Sequence, residues 1–342
     1  MSVCRMAIVG CGDIARFTAL GCILNRKMKA IACMDIDGDR SQAFARRFRI
    51  AGAYDDYEKL LDRDDLDAVY LAVPHDLHRP MIEEALERGL PVLCEKPIAA
   101  EMEDAVAICE LSRKKNIPVG VNYQYRYDSA CYALVDACRE GKLGTIQYGR
   151  VNVPWNRKRG YFDDSPWHKS MARSGGGTLL TQASHVIDVA LSAMGGHPVR
   201  VMGIVDRKVF TDVEVEDFGT GLIELDDGAV LTVTSSMIAV PERRILMEIY
   251  GTGGTVLYEG PDFPKVRFLG TKVKKRRPPI RGLHALFRSI EGFRRWITGG
   301  EEYLTPAGST LSVLAAVKAL YRSAETGKRE PVDERYRKFI QP

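Results

Sequence analysis

In residues 1–122, short apolar runs rich in β-branched residues end at turn signals and hand over to helical patterns, an alternation that leaves few folds open. Met6-Ala-Ile-Val9 leads into a glycine loop and a helix, Ala30-Ile-Ala-Cys-Met34 ends in acids, and Ala68-Val-Tyr-Leu-Ala-Val73 stops at Pro74. A helix over 81–88 closes at Gly89, and Pro91-Val-Leu-Cys94 stops at Glu95-Lys96-Pro97. A helix over 102–115 follows, and Pro118-Val-Gly-Val121 is the last strand. Strands that are apolar along their whole length need cover on both faces. The pattern therefore predicts a parallel sheet between two layers of helices.

The first turn of this α/β unit carries Gly10-Cys-Gly12-Asp13-Ile14-Ala15. Gly10 permits the tight turn, Gly12 lets backbone N–H groups approach a pyrophosphate, and Ala15 allows close packing of helix on strand. The helix start at Asp13 and Ile14 adds a favourable field for phosphate. Asp35 ends the second strand about 20 residues further on, where an acid binds ribose hydroxyls. An acid there repels a 2′-phosphate, which favours NAD over NADP, and Arg40 softens that preference.

Beyond about residue 123 the pattern changes. A helix over 130–139 and a strand over 145–153 precede a polar aromatic loop, then a glycine run leads into a helix. Alternating strands over 219–237 and 245–257 break at Asp226-Asp227-Gly228 and Gly251-Thr-Gly-Gly254, as hairpins do. Helices over 283–297 and 310–326 close the chain. The expected division is a dinucleotide-binding Rossmann domain, 1–122, and an α+β domain with a large, mainly antiparallel sheet, 123–342. A length of 342 residues agrees with two cores. A formal charge of +4 is too small to argue for nucleic acid. No apolar run is long enough for a membrane span or a signal peptide. Eight cysteines without a CxxC pair read as reduced, buried thiols of a cytoplasmic protein, and no metal site is expected.

Two clusters carry chemistry. Lys96 lies just past the carboxyl end of a strand, where open α/β sheets hold ligands, and Pro97 keeps it out of helical geometry with a cis bond open to it. Beside a cationic nicotinamide and a histidine its amine is expected to lose its proton easily, which suits proton exchange. The second cluster runs Gly175-Gly-Gly177-Thr-Leu-Leu-Thr181-Gln182-Ala-Ser-His185-Val-Ile-Asp188. The three glycines read as room for a ligand with N–H donors exposed at the helix start. In a helix, Thr181, His185 and Asp188 share a polar stripe, and Leu180, Ile187, Leu191 and Met194 face inward.

The order of Gly10-x-Gly12-x-x-Ala15, Pro74 with His78, Glu95-Lys96-Pro97 and the glycine run before His185 and Asp188 resembles the glucose–fructose oxidoreductase/inositol dehydrogenase/rhizopine catabolism (Gfo/Idh/MocA) family over essentially the whole chain. The resemblance implies an NAD(P)-dependent oxidoreductase of sugars or cyclic polyols that assembles as a homodimer or homotetramer. By position, Lys96 is the proton-transfer lysine and His185 the assisting, substrate-contacting histidine. Cofactor contacts are implied for Val73, Pro74, His75, His78, Glu95, Lys96 and Asn122 beside the glycine loop. Thr181 stands where many members have aspartate, and His75 where many have asparagine, so more proton chemistry falls on Lys96 and His185. The Thr181-Gln182-Ala-x-His185 form, with Tyr161 and Trp167 before it, resembles the branch acting on nucleotide-linked amino sugars.

Trp155-Asn-Arg157-Lys-Arg159-Gly-Tyr161-Phe162 runs into the glycine segment and is expected to border the pocket, with Arg157 clamping an anion and an aromatic ring covering a sugar face. The basic segment 272–281 reads as a solvated loop. The competing reading is a cofactor-sensing regulator on the same fold, against which the presence of both Lys96 and His185 argues.

Overall fold

The computed structural model describes residues 3–280, 282 and 284–340. In chain order the elements are β1 (Cys4–Val9), α1 (Asp13–Leu24), β2 (Met28–Met34), α2 (Gly38–Phe48), β3 (Gly52–Tyr54), α3 (Tyr57–Leu61), β4 (Ala68–Leu71), α4 (His78–Glu87), β5 (Val92–Cys94), α5 (Met102–Lys115) and β6 (Val119–Val121). They continue with α6 (Ser129–Arg139), β7 (Ile146–Pro154), α7 (Gly160–Asp163), α8 (Met171–Ser174), α9 (Ser184–Met194), β8 (Pro198–Asp206), β9 (Phe218–Leu225) and β10 (Val230–Ser236). Last come β11 (Ile245–Gly251), β12 (Gly254–Gly260), β13 (Lys265–Leu269), α10 (Ala285–Gly299), α11 (Leu311–Thr326) and β14 (Glu330–Pro331). They form two compact units.

The first unit draws on 1–99, 104–124 and 280–307. Its six strands pair in parallel in the order β3-β2-β1-β4-β5-β6. The continuously apolar strands β4 and β5 are wholly buried, as cover on both faces requires. The chain reverses direction across the sheet between β1 and β4. The crevice outside the carboxyl ends of those two strands is therefore where such a sheet holds ligands. Strand β3 escapes the sequence pattern because it is only three residues long, with Ala53 exposed and Gly52 and Tyr54 partly buried. α4 starts at His78, one turn earlier than the expected 81–88.

Segment 280–307, placed by sequence in the second domain, packs in the first. The Val121 N–H donates to Thr305 O at 2.9 Å, and Gly120 bridges to Pro306. A side chain at Gly120 would sit 2.6 Å from the Tyr303 ring, so this strand can take only glycine beneath that tyrosine. The expected helix start at Leu283 lies outside the described residues. From Ala285 on, α10 buries Leu286, Ile290 and Phe293.

The second unit contains an eight-stranded sheet in the order β13-β12-β11-β7-β10-β9-β8-β14. Both hairpins fall at the expected turns. Among the described residues β7 pairs with β10 in parallel, and the chain between them passes through β8 and β9. β8, β13 and β14 join this sheet although no run in the sequence announced them individually. Burial alternates along β10 and β11, whereas α9 and most of α11 are buried nearly all round. The exposed Tyr148, Met202 and Ile204 leave apolar area on the strands' solvent side.

The 3₁₀ turn Gln124–Tyr127 is anchored by one ion pair. Arg126 meets Asp188 of α9 in a two-pronged contact, Nε to Oδ2 at 2.7 Å and Nη2 to Oδ1 at 2.6 Å, with Asp188 fully buried. Replacing Arg126 by Met strands this carboxylate in the core and is expected to cost about 3–5 kcal/mol in urea denaturation. The further change Asp188→Leu is expected to recover most of the loss. An unchanged midpoint in the single variant would show the pair to be dispensable.

Candidate active site

The first unit positions the glycine loop, Asp35 and the Lys96 turn. Gly10 has φ +85°, and a Cβ there would sit 2.1 Å from the Ala72 carbonyl oxygen, so the turn accepts only glycine. Around Gly12, by contrast, a Cβ would meet nothing within 4 Å. Gly12 caps α1 without any side-chain hydrogen bond, which leaves the N–H groups at Asp13 and Ile14 to backbone geometry and ligand. Asp35 is buried. Its Oδ2 accepts the Cys11 N–H at 2.9 Å and its Oδ1 the Asp37 N–H at 3.1 Å, while Arg40 Nη1 lies 3.8 Å from Oδ2. The carboxylate thus holds the glycine loop itself, and each oxygen keeps a second lone pair for a ribose hydroxyl.

Three strand ends meet at Glu95. Its Oε1 accepts the Tyr70 hydroxyl from β4 and the Asn122 amide at 2.6 Å from the end of β6. Burial raises the Glu95 carboxyl above its usual range, while those two donors and the neighbouring Lys96 charge pull it down. The adjoining Lys96, half-buried, opens a cis peptide to Pro97. His75 is buried in the turn behind Val73 and Pro74. His78 departs from its expected role as a cofactor contact. It is fully buried, with Nδ1 at 2.9 Å from Pro97 O and Nε2 at 3.0 Å from Val73 O, so both ring nitrogens face protein carbonyls. Its imidazole clasps the turns after β4 and β5, and burial lowers its basicity. The Glu95 side chain is likewise tied to the Asn122 amide rather than aimed outward. Asn122 Oδ1 remains buried without a hydrogen-bond partner, an acceptor for an amide donor. With the open space at Gly12, it makes this edge fit a dinucleotide.

In the second unit the aromatic loop rests on a small core of Phe162, Phe210, Val213, Val215 and Met237. Above it Arg157 Nη2 donates to Gln182 Oε1 at 2.8 Å, and Gln182 Nε2 donates to Tyr161 Oη at 3.1 Å and Thr181 Oγ1 at 3.4 Å. The Arg157 guanidinium lies 4.8 Å over the Trp155 ring, Tyr161 stacks on His168 at 4.3 Å, and the Trp167 ring lies 3.8 Å from that of His168. His185 stacks on Tyr125 at 4.8 Å. The structure therefore gathers Arg157, Tyr161, Trp167, Thr181 and Gln182 into one contiguous wall. Tyr125 and His168, which no motif marked, support His185 and Tyr161.

Two expectations for this segment fail. Residues Thr178–Ala183 form a π-helical stretch, so Thr181 and His185 do not follow one α-helical stripe, and Asp188 is committed to Arg126. Nor do the glycines open a ligand space. A Cβ at Gly176 would lie 2.1 Å from Tyr321 Oη, and one at Gly177 would lie 1.9 Å from the Glu216 carbonyl oxygen. The N–H groups of Gly177, Thr178 and Leu179 all bind Glu216: Oε2 at 2.6 Å, backbone O at 3.0 Å and Oε1 at 2.9 Å. Glu216 lies far along the chain, so local spacing gave no signal for it. The basic segment is a solvated loop, with Lys275 on Val266 O and Arg276 on Glu140, and its terminal Arg281 lies outside the described residues.

Among the described residues no group of histidine, cysteine, aspartate and glutamate gathers for a metal, no helix is long and apolar enough to cross a membrane, and all eight cysteines are buried and free of disulfides.

This geometry defines a nicotinamide-nucleotide oxidoreductase scaffold, and comparison with known proteins agrees. Residues 4–123 match the oxidoreductase family with an NAD-binding Rossmann fold, and residues 132–257 match the GFO/IDH/MocA C-terminal domain. The two matches together span most of the chain, which belongs to the Gfo/Idh/MocA family of NAD(P)-dependent oxidoreductases. It is 26% identical over 336 residues to D-apiose dehydrogenase of Paraburkholderia graminis, covering 94% of this chain and 88% of that protein. It is also 26% identical over 343 residues to D-xylose 1-dehydrogenase (NADP(+)) 2 of Haloferax volcanii, covering 95% and 99%. The WlbA dehydrogenase of Chromobacterium violaceum, solved with NADH and UDP-GlcNAcA, superposes with TM-score 0.84 at 25% identity over 97% of both chains.

Replacing Glu95 by Ala leaves the Tyr70 hydroxyl and the Asn122 amide as buried donors without an acceptor. Stability is expected to drop by about 2–5 kcal/mol, read from the thermal midpoint. Glu95→Gln, which retains an oxygen toward both donors, is expected to lose less than half of that.

Proposed function

We propose that this protein is a dehydrogenase of a sugar, sugar acid or cyclic polyol, oxidising a ring CH–OH or reducing the corresponding ketone, with Lys96 as acid–base group. The observation that carries the reading is the Glu95 junction, which fixes the residue before Lys96 at the carboxyl edge of an NAD-binding sheet. Bound there, the nicotinamide supplies the hydride acceptor or donor. The Gly10–Ile14 loop holds the pyrophosphate, and Asp35, softened by Arg40, takes the ribose hydroxyls. The Asn122 carbonyl meets an amide donor. In oxidation the Lys96 amine takes the hydroxyl proton, and in reduction it returns it. His185, braced by Tyr125, hydrogen-bonds the reacting oxygen, and Thr181 and Gln182 hold neighbouring hydroxyls. Tyr161 and Trp167 cover the sugar face, and Arg157 binds an anionic substituent.

A nucleotide-linked substrate is the finer form of this reading. It is supported by Arg157 in an aromatic setting and by the WlbA enzyme, whose structure holds UDP-GlcNAcA. We also infer a cytoplasmic homo-oligomer joined through the strand face that exposes Tyr148, Met202 and Ile204, supported by that apolar area and by the free thiols.

The test offers D-apiose, D-xylose and UDP-GlcNAcA with NAD or NADP, following NADH or NADPH absorbance. At least one sugar is expected to be turned over. Lys96→Met is expected to keep cofactor affinity within about threefold and to lower kcat by about 10²–10⁴. Undiminished turnover would remove Lys96 from the mechanism. A cofactor that binds stoichiometrically and is never turned over would identify a cofactor-sensing regulator instead.

A further inference from the structure

Glu216 is a buried carboxylate to which the mechanism above assigns no step, and it occupies the place the glycine run reserves. Its Oε2 and Oε1 accept the N–H groups of Gly177 and Leu179 at 2.6 and 2.9 Å, and its Oε1 also accepts the Tyr321 hydroxyl at 2.9 Å. On the other side of the same turn the Gly177 carbonyl receives both the Thr181 N–H at 2.8 Å and the Thr181 hydroxyl at 2.7 Å. Glu216 is thus one glycine away from the residue standing where many family members carry an aspartate. A Cβ at Gly176 or Gly177 would collide with Tyr321 or Glu216, so the glycines admit this carboxylate and its phenol rather than a ligand.

We propose that Glu216 is a positioning residue for the substrate wall: its anion grips Gly177 and Leu179 and thereby fixes the π-helical turn that presents Thr181 and Gln182 and leads into His185. This rests on the dehydrogenase reading above. A carboxylate accepts at both oxygens, whereas a protonated carboxyl turns an O–H toward an N–H. The grip therefore requires the ionised form. The groups facing it are the Tyr321 hydroxyl and the phenol of Tyr161. Lys318 donates to Gly175 O at 3.0 Å and lies 6.0 Å from the Tyr321 ring, and Asp217 turns away to accept the N–H groups of Lys208, Val209 and Phe210. Burial pushes the Glu216 carboxyl up to about 7, against the two N–H donors and Tyr321, which favour the anion.

Activity and stability should then respond to pH in opposite directions. A carboxyl raised above its ordinary 4.5 contributes stability that is fully present below 4.5 and lost as pH rises through about 7. Over the same interval the anion forms and the wall is set, so activity rises. A carboxylate that merely supported the fold would move both together.

The experiment compares wild type, Glu216→Gln and Tyr321→Phe with a sugar turned over in the panel, and follows amide hydrogen exchange by NMR. Glu216→Gln is expected to lower kcat/KM about 10–100-fold with NADH affinity unchanged, to lose the acidic limb near pH 7, and to speed exchange at Gly177, Leu179 and Thr181. Thr178, bound to the Glu216 backbone, stays protected. Tyr321→Phe removes a donor that favours the anion, so the acidic limb is expected to move to higher pH. Unchanged kcat/KM and exchange in Glu216→Gln, or an unmoved limb in Tyr321→Phe, overturns the proposal. Should Glu216→Gln fail to fold, the Tyr321→Phe limb decides. If no sugar is turned over, the dehydrogenase reading fails, and exchange alone decides whether Glu216 fixes the turn.

Discussion

One buried carboxylate ties together the edge of the sheet on which the chemistry depends. Glu95 accepts from a tyrosine on β4 and an asparagine beyond β6, so the ends of three neighbouring strands share one acceptor. A carboxyl group so deep is tolerated because its Oε1 meets two donors. The consequence is local: the residue that follows is Lys96, and its backbone inherits the rigidity of the junction. His78 adds a second clasp, spanning the turns after β4 and β5 through its two ring nitrogens. The proton-transfer role proposed for the Lys96 amine would gain from such a frame, because small displacements of a reacting group are costly in rate.

The second unit solves the same problem by another route. There the wall residues hang from a π-helical turn whose three leading N–H groups all bind Glu216, and whose carbonyl at Gly177 holds Thr181. In both units a buried acid lies beside a residue proposed for substrate or proton, and neither acid needs to touch the substrate. Functional segments placed on a single turn of irregular helix depend on such anchors, because the turn lacks a full set of helical hydrogen bonds of its own.

The sequence made the first unit legible because its strands are buried on both faces and its loop glycines have steric reasons visible at the residue level. Gly10 faces the Ala72 carbonyl, and Asp35 reaches back to Cys11. The parallel sheet, the antiparallel hairpins and the wall formed by Arg157, Tyr161, Thr181 and Gln182 follow the same local logic. What periodicity could not carry was long-range. The segment around α10 returns to β6 through Thr305 and Tyr303, and no local signal marks that return. The glycine run is ambiguous for a related reason: three glycines announce that something comes close, and only the fold shows that it is Glu216 and Tyr321. Asp188 fits a polar stripe by spacing, and only the fold sets Arg126 opposite it.

The proposed mechanism has Lys96 and His185 serve one proton on one substrate. A double-mutant cycle on kcat/KM, with Lys96→Met and His185→Asn alone and together, measures this directly. If the two groups act as a unit, the double variant is expected to be at most about tenfold slower than the worse single variant. Losses that multiply across the cycle, as for independent sites, would contradict the account.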